Sequence, residues 1–177
     1  MFLAECSFLV DAVPVPQPRQ RFAGRYSASA GRVIPVAYHD SANPVHTFKQ
    51  AVALAGRLAR SPRWPMGEKV AYRLLLVFVM PEVSNLPKRR VGRLPNNRKP
   101  DLDNLIKGVK DALKGITWDD DGRVFECNAT KVYPAPGESP GVRVVIQAVD
   151  DRTNLAAVGY GAAADEWRAQ AQHIEGR

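Results

Sequence analysis

The sequence predicts a single small α+β domain, on three observations. The run Tyr72–Met80 (YRLLLVFVM) has the length and composition of a buried strand. Val124–Tyr133 and Val142–Val149 read as two more strands, joined by the turn PAPGESPG and expected to form a hairpin. Two other segments carry a helical period instead. His46–Arg60 is amphipathic, and from Leu102 the apolar residues Leu105, Ile106, Val109, Ala112 and Leu113 recur at the spacing of one buried helix face.

Taken in order, Phe2–Val13 reads as a first strand. Its apolar opening has no basic leader and contains Glu5, so it is expected to be a strand and not a signal peptide. From Pro14 to Tyr38 the chain is broken by prolines and glycines and carries Arg19, Arg21, Arg25 and Arg32. Arg-Phe and Arg-Tyr neighbours suit a hairpin that contacts a nucleic-acid backbone and stacks on bases, and they suit a solvated irregular hairpin equally well. Asn43-Pro44 signals the start of the first helix, and SPRWPM is a linker. His39 and His46 lack partners at ligand spacing and are expected on the surface or in loops. No internal repeat is present.

At 177 residues the chain is long enough to bury a real core in one domain. No run of 18 apolar residues exists, so no membrane span is expected. Cys6 and Cys127 are too few for a disulfide framework and are expected to be buried small hydrophobes, in a reducing cytoplasm. The net charge of +7 and pI of about 9.7 favour a polyanionic partner. Its distribution is more telling. Between Lys88 and Lys99 stand six cations (Lys88, Arg89, Arg90, Arg93, Arg98, Lys99) and no acid. Pro81–Asn97 shows little periodicity, which suggests a basic loop that orders on DNA. From residue 150 onward the balance turns acidic and alanine-rich, so residues 1–149 are expected to form the domain and 150–177 a tail or short terminal helix. The last four residues, IEGR, match a protease-recognition sequence and are set aside.

Immediately after the cations comes KPDLDNLIKGVKDALKGITWDDDGRV. Pro100 pushes Lys99 into an extended conformation, and an extended Asp101-Leu102-Asp103 would aim both carboxylates to one side. Asp103 is a reasonable N-cap, with Lys107 standing over it one turn later and Gly115 as the stop. Asp119, Asp120 and Asp121 then form a turn ahead of the next strand. Carboxylates converging from a helix start and a strand start would make a hard oxygen pocket suited to Mg²⁺ or Mn²⁺. Acidic residues at a helix start are also ordinary caps, and DDDG is an ordinary turn. The surrounding positive charge favours the metal reading, since a cap does not need it.

This stretch closely resembles the RusA-type Holliday junction resolvases. Their hallmark is P-D-x-D-N-x-x-K-x-x-x-D-A-L followed by W-x-D-D-x-x-V, here Pro100, Asp101, Asp103, Asn104, Lys107, Asp111, Ala112, Leu113, Trp118, Asp120, Asp121 and Val124. PVPQPRQR near the start is similar to the family's proline-rich opening, so the resemblance spans roughly residues 5–149. It implies a mixed sheet packed by two main helices, a two-fold homodimer, and Mg²⁺-dependent paired nicking of four-way DNA junctions. It also implies that Asp101, Asp103 and Asp121 are catalytic metal ligands, with Asp120 an alternative third ligand, and that Lys107 is catalytic. Asn104 and Asp111 would cap and buttress. The DNA would be met by Arg19, Arg21, Lys88, Arg89, Arg90, Arg93, Arg98 and Lys99.

Three rivals stand beside this reading. Placing Gly122 at position 6 of a calcium loop puts Thr117 and Asn128 where Asp and Glu are required, so an EF-hand fails. A branched-DNA-binding protein without activity would have lost a matched acid or lysine, and all are present. A nuclease for flaps or forks stays open, because substrate choice depends on dimer geometry and loop shape.

Overall fold

The computed structural model describes residues 1–18, 21–38, 42–87 and 89–154. Its organising strand is β4 (Val70–Val79), whose side chains are largely apolar on both faces. Such a strand is stable only with neighbours on both sides and packing above it. It lies at the centre of a five-stranded mixed sheet ordered β1 (Phe2–Val10), β7 (Gly141–Asp150), β4, β6 (Val124–Tyr133), β5 (Leu94–Pro95). β6 runs parallel to β4, and the other pairings are antiparallel.

The expected hairpin between 124–133 and 142–149 does not form, because β4 is inserted between these two strands. The connection Pro134–Pro140 can bridge a gap of two strand spacings, roughly 10 Å. Inserting β4 there seals Leu74, Leu76 and Phe78, all at most 1% exposed, inside the sheet.

Both helices pack on one face of the sheet. α1 (Val45–Ala59) starts where Asn43 Oδ1 accepts the Val45 N–H at 3.0 Å. It buries Phe48 and Val52 against Leu105, Val109 and Leu113 of α2 (Leu102–Leu113). At the crossing Gly56 admits Leu113, and a Cβ there would lie 2.6 Å from Leu113 Cδ2. On the opposite face a polar ladder runs across four strands. Arg73 binds Glu126 at 2.5 Å and Gln147 at 3.4 Å, and Gln147 binds Glu5 at 2.8 Å.

The proline-broken segment does contain a hairpin, β2 (Arg21–Ser27) with β3 (Arg32–Tyr38), as a separate two-stranded sheet. It holds Tyr26 and Val33 out to solvent, 67% and 63% exposed. The chain leading into it runs along α2, tied by Gln17 N–H to Asn104 C=O at 2.9 Å.

Cys6 is buried and its thiol pKa is pushed up to about 12 by that burial. Cys127, also expected inside, is exposed. It lies on β6 away from Val132 and Tyr133, the positions that the two-residue β5 covers. Among the described residues no helix is long and apolar enough to cross a membrane. The expected acidic tail lies outside the described residues from residue 155 onward, after Asp150 N–H has bonded to Met1 C=O at 3.0 Å.

Candidate active site

α2 begins two residues sooner than an Asp103 cap would place it. Leu102 packs against the core and is already helical, so Asp101 is the last extended residue, at φ −68° and ψ 140°. Asp101 makes no side-chain cap bond, and Asp103 sits inside the first turn, near the positive end of the helix dipole. The expected extended Asp-Leu-Asp is therefore corrected to an extended residue followed by a helical one. Lys107, one turn beyond Asp103 on α2, pairs with Asp111 at 3.6 Å. Lys49 of α1 takes the other Asp111 oxygen at 2.9 Å, so Asp111 buttresses the helix pair.

At the far end of α2, Gly115 adopts φ +76°, open to a residue without Cβ, and the chain turns back. Trp118 is wholly buried with its ring centroid 5.9 Å from that of Tyr72. Its indole N–H donates to Asp121 Oδ1 at 2.9 Å, which fixes that carboxylate on the 3₁₀ turn Asp121–Arg123. Lys110 Nζ lies 3.5 Å from the Asp121 carbonyl oxygen. Lys110 stands about 10 Å farther along the helix axis than Asp103, so Asp121 meets α2 toward its C-terminal half.

Among the described residues no group of three or more His, Cys, Asp or Glu is placed to hold one metal ion. The structure brings Trp118, Asp121 and Lys110 together, and separately sets Asp101 and Asp103 at the start of α2. The other acids are engaged. Asp119 binds Arg123 at 2.6 Å. Asp120 caps the 3₁₀ turn through the Gly122 N–H and meets Lys114 at 3.3 Å; the Gly122 bond first, and Lys114 second, lower its pKa. Asp101 and Asp103 alone in this cluster have neither a cation nor a side-chain hydrogen bond among the described residues. Two free carboxylates suit a hard divalent cation. Mg²⁺ is usually held by one or two carboxylates, with water and substrate phosphate completing its octahedron.

The basic stretch divides. Arg89, Arg98 and Lys99 are exposed. Arg90 and Arg93, expected at DNA, are instead drawn inward to stabilise the loop. Arg90 binds Glu82 at 2.5 Å and the Pro134 carbonyl at 3.4 Å. Arg93 grips Glu138 through two nitrogens, at 2.5 and 3.0 Å, and this contact, ahead of the Ala135 N–H, lowers the Glu138 pKa. In the loop expected to order on DNA, these pairs and β5 supply tertiary contacts from within the chain. Arg19, Lys88 and the side chain of Arg21 lie outside the described residues.

Two cations were not legible as site residues. Lys110 lies seven residues beyond Asp103 on one helix face, a spacing that could have flagged it. Lys131, on β6, reaches the carbonyl oxygens of Arg98 and Pro100 and lines a recess of about 470 Å³ with Arg98, Lys99 and Asp101. Nothing in the sequence links it to them.

Two comparisons bear on this arrangement. A family model described as Endodeoxyribonuclease RusA matches residues 11–147. The uncharacterized protein YqaN of Bacillus subtilis (strain 168) is 37% identical over 107 residues, covering 58% of this chain and 72% of that protein.

Proposed function

Because this chain belongs to the RusA endodeoxyribonuclease family, we propose that it is a Mg²⁺-dependent, structure-selective nuclease that resolves four-way DNA junctions by paired nicks. The observation that carries the reading is the pair Asp101 and Asp103. They are left without cation partners among the described residues, at a helix start, beside exposed Arg98 and Lys99.

Asp101 and Asp103 would hold the Mg²⁺, for which Mn²⁺ could substitute. When bound, the ion supplies a lowered water pKa and charge neutralisation on the phosphate. The chain's own residues do the rest. The Trp118 indole orients Asp121 through Oδ1, and Asp121 would contribute Oδ2 as a further oxygen donor. Lys107, exposed on the same helix face as Asp103, offers positive charge to a phosphorane-like transition state. Arg89, Arg98 and Lys99 attract the DNA backbone without reading sequence. Hydrolysis breaks one phosphodiester P–O bond as water oxygen bonds to phosphorus, and the departing strand oxygen takes a proton. A two-fold homodimer would set two such sites against a two-fold-symmetric junction, so paired cuts follow from symmetry.

The test is cleavage of labelled four-way junction, fork, flap and linear duplex, with Mg²⁺ and with chelator. Metal-dependent paired cutting of the junction is expected. Equal or better cutting of flaps or forks would replace the substrate, and a shifted band that is never cut would replace the activity with binding.

A further inference from the structure

An ammonium group has three N–H donors and no acceptor. In Lys131 two of them go to neutral carbonyl oxygens, those of Arg98 and of Pro100, the latter at 2.5 Å. No carboxylate among the described residues pairs with it. Carbonyl dipoles satisfy the donors they touch but leave the unit charge in place. Lys131 lines the same recess of about 470 Å³ as Asp101, Arg98 and Lys99, and brings that charge to it. The loop is already fixed to β6 beside it, through the Asn96 N–H to the Lys131 carbonyl at 3.0 Å and the β5 pairing. A charged residue is therefore more than a clamp requires, and its location puts positive charge where a DNA strand would run against the Asp101 carboxylate.

We propose that Lys131 binds a backbone phosphate of the DNA in this recess, next to Asp101, and so positions the strand for cutting. The proposal rests on the DNA-cutting function given above and adds a residue to it that the helix and turn motifs do not contain.

The test compares the unmodified protein with Lys131→Gln and Lys131→Arg, measuring junction affinity in chelator over a range of salt, and then KM and kcat with Mg²⁺. Gln keeps two N–H donors for the carbonyls and removes the charge, whereas Arg keeps the charge. With one fewer phosphate neutralised, Lys131→Gln should flatten the slope of log affinity against log salt by about 0.9 and raise KM more than it lowers kcat. Lys131→Arg should retain the slope. Should Gln fail to fold by circular dichroism, Lys131→Met carries the same comparison. An unchanged slope in the uncharged variant overturns the proposal and leaves Lys131 a loop clamp, while the nuclease reading stands. Absence of any junction binding by the unmodified protein overturns both.

Discussion

Trp118→Phe separates the role of Asp121 from the role of the core around it. The substitution removes the indole N–H that Asp121 Oδ1 accepts at 2.9 Å, and it shrinks a side chain that is fully buried against Tyr72. A hydrogen bond to a charged group contributes about 1.5–3 kcal/mol, and the half-exposed Asp121 can rehydrate, so the lower end applies. Trimming the ring leaves a partial cavity worth about 1–2 kcal/mol, less than a truncation to alanine. Together these give about 3 kcal/mol, a fall in Tm of roughly 6–12 °C for a chain of this length. If Asp121 works at the site, losing its orienting donor should also cost about 10–100-fold in apparent Mg²⁺ affinity or activity, as loss of such supporting bonds does elsewhere. Urea and thermal unfolding read the first effect, and Mg²⁺ titration of junction cleavage reads the second. A variant that is destabilised as stated but cleaves at the same rate, with the same Mg²⁺ midpoint, would show that Trp118 is core alone and would take Asp121 out of the site.

Asp103→Asn should abolish cleavage while junction binding is retained or tightened, since carboxylate–phosphate repulsion falls; cutting with Mg²⁺ by this variant would remove Asp103 from the metal site. Glu138 has its pKa lowered by Arg93 from an ordinary value of 4.5. Its contribution to stability is therefore full above that value and is lost as pH falls through the lower folded-state pKa. Glu138→Gln should accordingly flatten the acid limb of the stability curve, measured by urea unfolding from neutral into acid pH, and parallel limbs for the two proteins would refute this. Gly56→Ala forces a methyl group to 2.6 Å from Leu113 Cδ2 at the crossing of the helices. Leu113 is fully buried and has little room to yield, so a loss of about 1–3 kcal/mol is expected by denaturant titration. An unchanged midpoint would mean that the helices slide apart at no cost.

What could be read from the sequence was what depends on neighbours along the chain. The apolar run of β4 marked a buried strand, and α1 was placed within a residue of Val45–Ala59, because periodicity is a local property of the side chains that face the core. The order of strands is not local. Whether β6 pairs with β7 or with β4 depends on the total burial each choice achieves, and the turn between β6 and β7 is long enough to allow both. Charge followed the same division. Read alone, Lys88–Lys99 was a stretch of six cations without an acid, but Arg90 and Arg93 were claimed by Glu82 and by Glu138, which lies 45 residues beyond Arg93. The site divides along that line too. Asp101 and Asp103 are one residue apart along the chain, so their common place at the start of α2 was legible. Asp121 is held by an indole only three residues away, but one that is fixed by its burial against Tyr72, and Lys131 is placed by two distant carbonyl oxygens that it meets only once the sheet has brought β6 beneath the loop. An arrangement of acids at one end of a helix and cations supplied from another strand is therefore a tertiary property. The motif specifies which residue types are present, and the mixed sheet determines which of their charges remain free to meet DNA.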